Sequence, residues 1–502
     1  MLFFKKKAEF YRLMLAVFSA FLMGPAFAAL IGSTFVVNPT SAGSQEVIAA
    51  KAGANGDRVV MWKDMASGGL VFMQRYDAAG TKIHAAPWNV GNGITDVAVG
   101  RVGQYVVVSV EQDGAGKSVY GTVYDRNGNV TVNKFKLNGL SNSNIYGARV
   151  AINEAGKFAV LWTAGSGSSY AVYARAFSAA GVPVSMESSL SAPSANQFHG
   201  DIAIDGAGNY SAVFVSVTTT ADVLMRRYSA NGVPASAAFI VSTYTASTQA
   251  GVMLAMNDEG NSVVVWESYG QDGSGYGIYG QRVNAAGSKI GAEFRVNSTV
   301  QGEQQLADVG IMDDGKFSVV WRTDNSAAVP GTLPSIRVRD FSAAAVAVAS
   351  ESVIVSEVAA MLPFIAMDPS GHSLVAWMAA DETGQFDVRA RLHRHGSVVA
   401  VTSLTSGVAK SGLSGEAGTW KYFRIIVPSG ATSLTYTLTG TGEADIYGRL
   451  AAVPLTTDYE FFSANPGSGE GIIISTPPAG AFIIGVYGYG AYSGVSLKAT
   501  VQ

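Results

Sequence analysis

No cysteine occurs anywhere in these 502 residues. That single absence excludes disulfides, thiolate metal ligands, a cysteine nucleophile and a lipid-anchored cysteine. Histidine is almost as scarce: His84, His199, His372, His393 and His395 are all there are, and none is followed by Glu. The His-Glu-x-x-His helix of zinc proteases is therefore absent, and no Gly-x-Ser-x-Gly elbow occurs either. Charged residues make up only 14% of the chain, against 48% hydrophobic. A disordered, self-repelling polymer is excluded by that balance. Beyond residue 28 no apolar run is long enough to cross a bilayer as a helix.

The N-terminus is the exception to the low charge. Lys5, Lys6, Lys7 and Arg12 precede an apolar run from Leu13 to Leu22, and the segment closes on Ala26-Phe27-Ala28. A basic start, a short apolar centre and small residues at alternate positions form a secretory signal peptide over residues 1–28, cleaved near Ala28. Its removal leaves 30 basic against 36 acidic residues, a net charge of −6. Such a surface does not suit nucleic acid. The expected location is outside the cell, and the missing cysteines fit a bacterial export.

What the sequence does have is glycine, 58 of them, and seven recur in one setting. Gly56, Gly103, Gly156, Gly208, Gly260, Gly315 and Gly371 each stand six residues before Trp62, Ser109, Trp162, Phe214, Trp266, Trp321 and Trp377. The spacings between successive members of the second set are 47, 53, 52, 52, 55 and 56 residues. Each unit reads as four short strands. Turns such as Asn257-Asp258-Glu259-Gly260 supply side-chain caps and a positive φ. Runs such as Val263-Val264-Val265-Trp266 favour strands. A later turn, Asn284-Ala285-Ala286-Gly287, recurs as Asp77-Ala78-Ala79-Gly80 and Ser178-Ala179-Ala180-Gly181. Four strands repeated at this length predict propeller blades. The fold class is all-β, with a seven-bladed β-propeller over residues 29–403. Independent sandwiches of that size would have thin cores without disulfides. The recurring aromatic is expected between blades, where it buries most surface.

One strand is in excess. Phe35-Val36-Val37-Asn38 precedes the first unit and matches the fourth strands between units, while only the weaker Val398-Val399-Ala400-Val401 follows the last. Borrowing the N-terminal strand to complete the last blade would close the ring and remove an edge.

The stretch Ser268-Tyr269-Gly270-Gln271-Asp272-Gly273-Ser274-Gly275-Tyr276-Gly277-Ile278-Tyr279-Gly280-Gln281-Arg282 resembles a repeat of bacterial secreted and surface proteins, in which similar blades accompany calcium-binding or adhesion modules. After Thr402 the character changes. Residues 404–418, rich in Ser and Gly, read as a linker. From 419 onward alternating segments follow, including Trp420-Lys421-Tyr422-Phe423-Arg424-Ile425-Ile426-Val427, Leu434-Thr435-Tyr436-Thr437-Leu438 and Phe482-Ile483-Ile484-Gly485-Val486. On its own this pattern gives strands of five to seven residues and a small β-sandwich. The order of segments resembles the bacterial pre-peptidase C-terminal domain. That resemblance implies a jelly-roll-like sandwich over 419–502 and association with secretion. This copy lacks the cysteine pair of many members.

Candidate binding residues are few. Gln45, Gln197, Gln249 and Gln304 each lie 17 residues before their unit's aromatic, with Asn92 in the second unit. Chain geometry puts them at one rim of the channel, where they either cap loop backbone or form a polar ring for a glycan or peptide. Glu267, Tyr269 and Asp272 share a loop that reaches the same rim. The acidic turns Asn257-Asp258-Glu259-Gly260, Asp313-Asp314-Gly315 and Asp381-Glu382-Thr383-Gly384 offer oxygens to calcium but lack the spacing that converges them. Capping is their simpler role, and no cofactor is called for. His393 and His395 alternate on one strand and share a face, as a metal pair or as ordinary histidines near a turn.

The expectation is a secreted, non-catalytic binding or adhesion protein. It would present propeller loops to an extracellular glycan or to a matrix or cell-surface protein, with the C-terminal domain aiding secretion or attachment. The alternatives are a carbohydrate-active hydrolase or lyase with its site on the top face, and a structural part of a surface assembly.

Overall fold

The computed structural model describes residues 27–502 apart from 40–41, 54, 101–102, 115, 140–143, 167–168, 191–195, 328–332, 358, 382, 400, 451–453 and 455–458. The signal-peptide reading, apart from Phe27 and Ala28, falls outside those residues. Residues Leu30–Gly396 form one compact unit, and Ser397–Gln502 fall in a second.

The first unit is a propeller of seven four-stranded antiparallel sheets. Blades 1 to 6 begin on the innermost strands Gln45–Ala52, Ile94–Val99, Asn144–Ile152, Asn196–Ile204, Gln249–Met256 and Glu303–Ile311. Blade 7 is built from Met361–Met367, His372–Ala380, Phe386–Val399 and, as its outermost strand, Phe27–Val36. The seven recurring glycines occupy equivalent turns. Each has φ between +76° and +94°, and each N–H donates to the carbonyl three residues back. Only a residue without Cβ enters that region at little cost, so glycine fixes the hairpin. In the outer turns glycine again takes this role at Gly80, Gly128, Gly181, Gly232 and Gly287, with Ala345 at φ 61° in blade 6.

Blade-on-blade packing supplies the core. Trp62 lies in a cluster with Leu374, Ala376 and Val388 of blade 7, Trp162 with Val106 and Val108 of blade 2, and Trp266 with Val213 and Val223 of blade 4. Phe214, Trp321 and Trp377 face blades 3, 5 and 6 in the same way. A fully buried Trp removes enough area to be worth roughly 4–6 kcal/mol as an upper bound. Blade 2 carries Ser109 instead, and its interface with blade 1 is filled by Val, Met and Tyr105.

Ring closure repeats the chemistry of the other blades. In blade 2, Leu137 N–H donates to Val119 O while Asn138 Oδ1 accepts from Val119 N–H. In blade 5, Val296 and Asn297 clamp Ile278 identically. At the closure Val37 N–H donates to Val388 O at 2.8 Å, and Asn38 Oδ1 accepts from Val388 N–H at 2.8 Å. The N-terminal strand thus completes blade 7. A buried ion pair, Arg58–Asp368 at 2.9 Å, joins blades 1 and 7 as well.

In the second unit the strands Val401–Ser403, Trp420–Val427, Ser433–Leu450, Phe461–Ser463, Glu470–Ser475 and Gly480–Val501 form one seven-stranded sheet together with Ala409–Gly415. The linker expected over 404–418 is corrected here. Ala409–Gly415 pairs with Gly480–Val501, and Leu413 is buried, because its Ser and Gly residues lie on the solvent face of a strand. The short separate strands expected near the C-terminus are also longer. Gly440 and Gly442 fall at bulges where Ser433–Leu450 bends without losing its partner, so 18 residues pair with a strand of 22. The two halves of the bent sheet share one core.

Candidate functional site

The innermost strands surround a central channel, and their backbone edges decide its chemistry. The position 13 residues before each recurring aromatic is Ala49, Asp96, Arg149, Asp201, Met253, Asp308 and Phe364 in blades 1 to 7. Every one follows a break in register of its innermost strand. The three aspartates stand on alternate blades, and each reaches forward to the next. Asp96 Oδ2 accepts from Val150 N–H at 3.0 Å, Asp201 Oδ2 from Leu254 N–H at 3.0 Å, and Asp308 Oδ2 from Ile365 N–H at 2.9 Å. An inner-strand edge presents N–H groups with no fifth strand to accept them, and a carboxylate satisfies that need.

Three carboxylates inside one channel repel each other, and Lys51 answers them from two residues beyond Ala49. Burial alone would lower the Lys51 ammonium, but Asp96, Asp201 and Asp308 outweigh it and its pKa is raised. Burial pushes Asp96 up, against the pull of Lys51 and Arg149. Burial likewise pushes Asp308 up, to about 6.

Above this tier, at the mouth where the innermost strands begin, lies a cavity of about 340 Å³. Glu46, Thr95, Tyr146, Arg149, Thr163 and Phe364 are among its lining. Arg149 is half-buried and, among the described residues, holds neither a hydrogen bond nor an ion pair. Tyr146 is 43% exposed and stands edge-on to Tyr170 at 5.1 Å, which in turn contacts Phe198 at 5.6 Å. The mouth therefore combines an unpaired guanidinium, a carboxylate and an aromatic wall.

The glutamines are at this end of the channel but do not face it. Gln45, Gln197, Gln249 and Gln304 are at most 1% exposed. Gln197 Oε1 accepts from Val172 N–H, Gln249 Nε2 donates to Tyr244 O, and Gln304 joins Asn297 Nδ2 to Gln301 O. Gln45 Nε2 donates to Asp64 at 3.1 Å. The polar ring open to ligand is thereby corrected to four buried loop caps. Replacing Gln249 and Gln304 by Ala should lower stability by about 1–3 kcal/mol and leave ligand retention unchanged; urea denaturation beside affinity electrophoresis reads both.

Glu267 is buried and bridges blades, its Oε1 accepting from Leu306 N–H at 2.7 Å where Leu306 takes φ 56°. Burial raises its pKa. Tyr269 is 49% exposed and edge-on to Tyr276 at 5.1 Å. Asp272 caps Ser274 N–H and lies 3.5 Å from Asn297 Nδ2. Glu267 and Asp272 thus serve separate contacts. In the acidic turns Asp381 caps Thr383 and Gln385, and Asp314 pairs with Lys316; Glu382 falls outside the described residues. No cluster of three or more potential metal ligands occurs among the described residues. His393 is buried against Asp340 at 3.2 Å, and His395 Nε2 lies 3.0 Å from Phe341 O, so both tie blade 7 to blade 6.

The tier of Asp96, Asp201 and Asp308 was missed in the sequence. Their common distance from the recurring aromatic was its signal, visible once the channel-facing position is known.

No protein-family model matches the chain. Its C-terminal part, about 96 residues, is similar to the alkaline serine exoprotease A of Vibrio alginolyticus, at 35% identity over 19% of this chain and 18% of that protein. The chain thus spans less than a fifth of the length of that curated relative. Solved structures similar to it include the propeller domain of the trilobed protease from Pyrococcus furiosus, with 8% identity, a TM-score of 0.42, and 69% of this chain and 95% of that one covered. Another is an ulvan lyase bound to -[GlcA(1-4)Rha3S]-, with 9% identity, a TM-score of 0.48, and 71% and 96% covered. Likeness at this level bears on fold alone. Because propellers of this fold include a polysaccharide lyase, the fold gives no ground for the expected non-catalytic chain, and that expectation is withdrawn. A carbohydrate-active site draws single side chains from separate strands and leaves no contiguous motif.

Proposed function

We propose that this chain is an exported carbohydrate-active protein that binds an acidic polysaccharide at the channel mouth and cleaves it by elimination. Export is supported by the N-terminal pattern and by the likeness of the C-terminal residues to an exoprotease. The observation that carries the reading is Arg149, a half-buried guanidinium that makes no side-chain hydrogen bond or ion pair among the described residues, in a cavity shared with Tyr146 and Glu46. A guanidinium takes a uronate carboxylate bidentately and stabilises the charge that builds up when the proton beside that carboxylate is removed. A tyrosine takes such a proton as its phenolate; the C–O bond β to the carboxylate then breaks as the C=C bond forms, and the phenol returns the proton to the leaving oxygen. Hydrolysis is less well supported, since it needs two carboxylates across one cleft and Glu46 is the one acid lining the cavity among the described residues.

The mature chain incubated with alginate, polygalacturonate and glucuronan should release unsaturated sugar from at least one. Arg149→Ala should lower that rate roughly 10- to 100-fold, the value of a charged hydrogen bond, while Glu46→Gln retains product of the unsaturated type. Absence of both product and retardation on all three polymers would overturn the reading.

A further inference from the structure

The C-terminal unit carries a second surface that the channel mouth does not explain. One face of its sheet is the core, formed by Phe423, Ile425, Ile446, Phe482, Ile484 and Val486. Strand alternation sends the intervening residues to the other face, and there the register aligns aromatics. Trp420 is opposite Tyr487, Tyr487 is opposite Asp445, and Tyr447 is opposite Phe462. Trp420 lies flat against Tyr422 at 5.3 Å and 7°, and contacts Tyr487 at 4.7 Å and Tyr447 at 5.6 Å. Tyr447 stacks on Phe462 at 6.0 Å and 12°, and Tyr459 joins both. The rings cross four neighbouring strands, about 15 Å. Trp420 is tilted to Tyr487 and Tyr447 by 43° and 62°, as Tyr459 is to Tyr447 and Phe462 by 57° and 53°, and Gly485 leaves room for the rings: a Cβ there would come within 2.6 Å of the Trp420 ring and 2.9 Å of Tyr422.

Tyr459 and Phe462 are 38% and 51% exposed, so the row opens to solvent at that end. A second observation turns an aromatic face into a site. Asp445 projects to the same face between Tyr447 and Tyr487, is only 4% exposed, and has no hydrogen-bond partner among the described residues. A carboxylate with open acceptor positions beneath a row of rings needs donors from outside. Burial, with Glu470 and Glu443 nearby, pushes its pKa up to about 6, as an unsatisfied acceptor requires.

We propose that this face is a binding site for a neutral polysaccharide, whose sugar rings lie on the aromatics and whose hydroxyls donate to Asp445. The C–H face of a pyranose carries partial positive charge and suits the negative face of an aromatic ring. Hydroxyl groups supply the missing donors. A proline-rich protein segment would also lie flat on such rings, but proline has no N–H to offer Asp445. An acidic polymer would bring like charge to the carboxylate. The site is independent of the channel mouth and would hold the chain on one polymer while the propeller acts on another.

Affinity electrophoresis of the full mature chain in hydroxyethylcellulose, xylan and galactan, with alginate and gelatin beside them, tests this. Retardation is expected in at least one neutral polymer. Phe462→Ala and Asp445→Asn, which leave the core face intact, should each weaken it at least tenfold, and Arg149→Ala should leave it unchanged. Trp420→Ala should abolish it, with circular dichroism of the variant checked against the parent. Retardation in no neutral polymer, retention by gelatin in their place, or neutral-polymer binding unaffected by Phe462→Ala and Asp445→Asn would each overturn the assignment. Loss of alginate turnover in Arg149→Ala with neutral-polymer binding intact separates the two sites.

Discussion

Replacing Lys51 with Met should destabilise the propeller by about 3–5 kcal/mol at neutral pH, the range for removing one partner of a buried charge group. The ammonium faces Asp96, Asp201 and Asp308 within the channel, and Arg149 is the other cation near Asp96. Without Lys51 the three carboxylates keep their backbone hydrogen bonds but lose the charge that offsets their burial. The pH dependence carries a definite sign. Asp308 has its pKa raised from 3.8 to about 6 in the folded chain. The folded state therefore binds a proton more tightly than the unfolded chain, and the charged carboxylate opposes folding above pH 6. Its protonation relieves that opposition as pH falls through 6, a gain of about 1 kcal/mol between pH 7 and pH 5 for this one group. In Lys51→Met the Asp96 and Asp308 carboxylates titrate higher still, so the loss relative to the parent should shrink from pH 7 to pH 5. Urea denaturation of both proteins at the two pH values reads this directly. An equal loss at both would mean that Lys51 acts by packing and not by charge.

Deleting residues 29–40 should lower the melting temperature of the propeller by many degrees. The strand it removes buries Val37 completely, sets Phe35 against Tyr76 of blade 1 at 5.5 Å, and clamps Val388 from both sides through Val37 and Asn38. Lost burial and hydrogen bonds together amount to roughly 5 kcal/mol. The strand Phe386–Val399 would also be left as an exposed edge, which favours association between chains. The milder Asn38→Ala keeps the strand and orphans the Val388 N–H, so about 1–3 kcal/mol should be lost. Scanning calorimetry distinguishes the three proteins. A deletion variant that melts with the parent would show that the ring closes without its N-terminal strand.

Much of the ring was legible because its determinants are local. A turn glycine and an aromatic six residues later lie on one hairpin, so Gly260 and Trp266 record a blade without reference to the rest of the chain. Phe35–Asn38 could be matched to Phe294–Asn297 for the same reason: both present an apolar residue and an amide to a neighbouring strand. The linker and the short C-terminal strands were misread because Ser and Gly also suit the solvent face of a strand and the bulges of a bent one. The glutamines were placed correctly along the chain, but capping and a polar ring stayed open as readings, since spacing fixes the strand position and not whether loops cover it.

The sequence by itself determined the repeat, the turns, the recurring interblade aromatics and the strand that closes the ring, all of which rest on spacings within a few tens of residues. Only the tertiary structure decided what faces what. Asp96, Asp201 and Asp308 are about a hundred residues apart and become one charged tier because the ring brings alternate blades to a common axis. Trp420, Tyr447, Phe462 and Tyr487 become one surface because antiparallel pairing aligns distant residues on the same side of a sheet, and because Gly485 leaves the rings room there. Periodicity fixes which face of a strand a side chain takes, whereas long-range pairing fixes its neighbours there, and sites are made of neighbours.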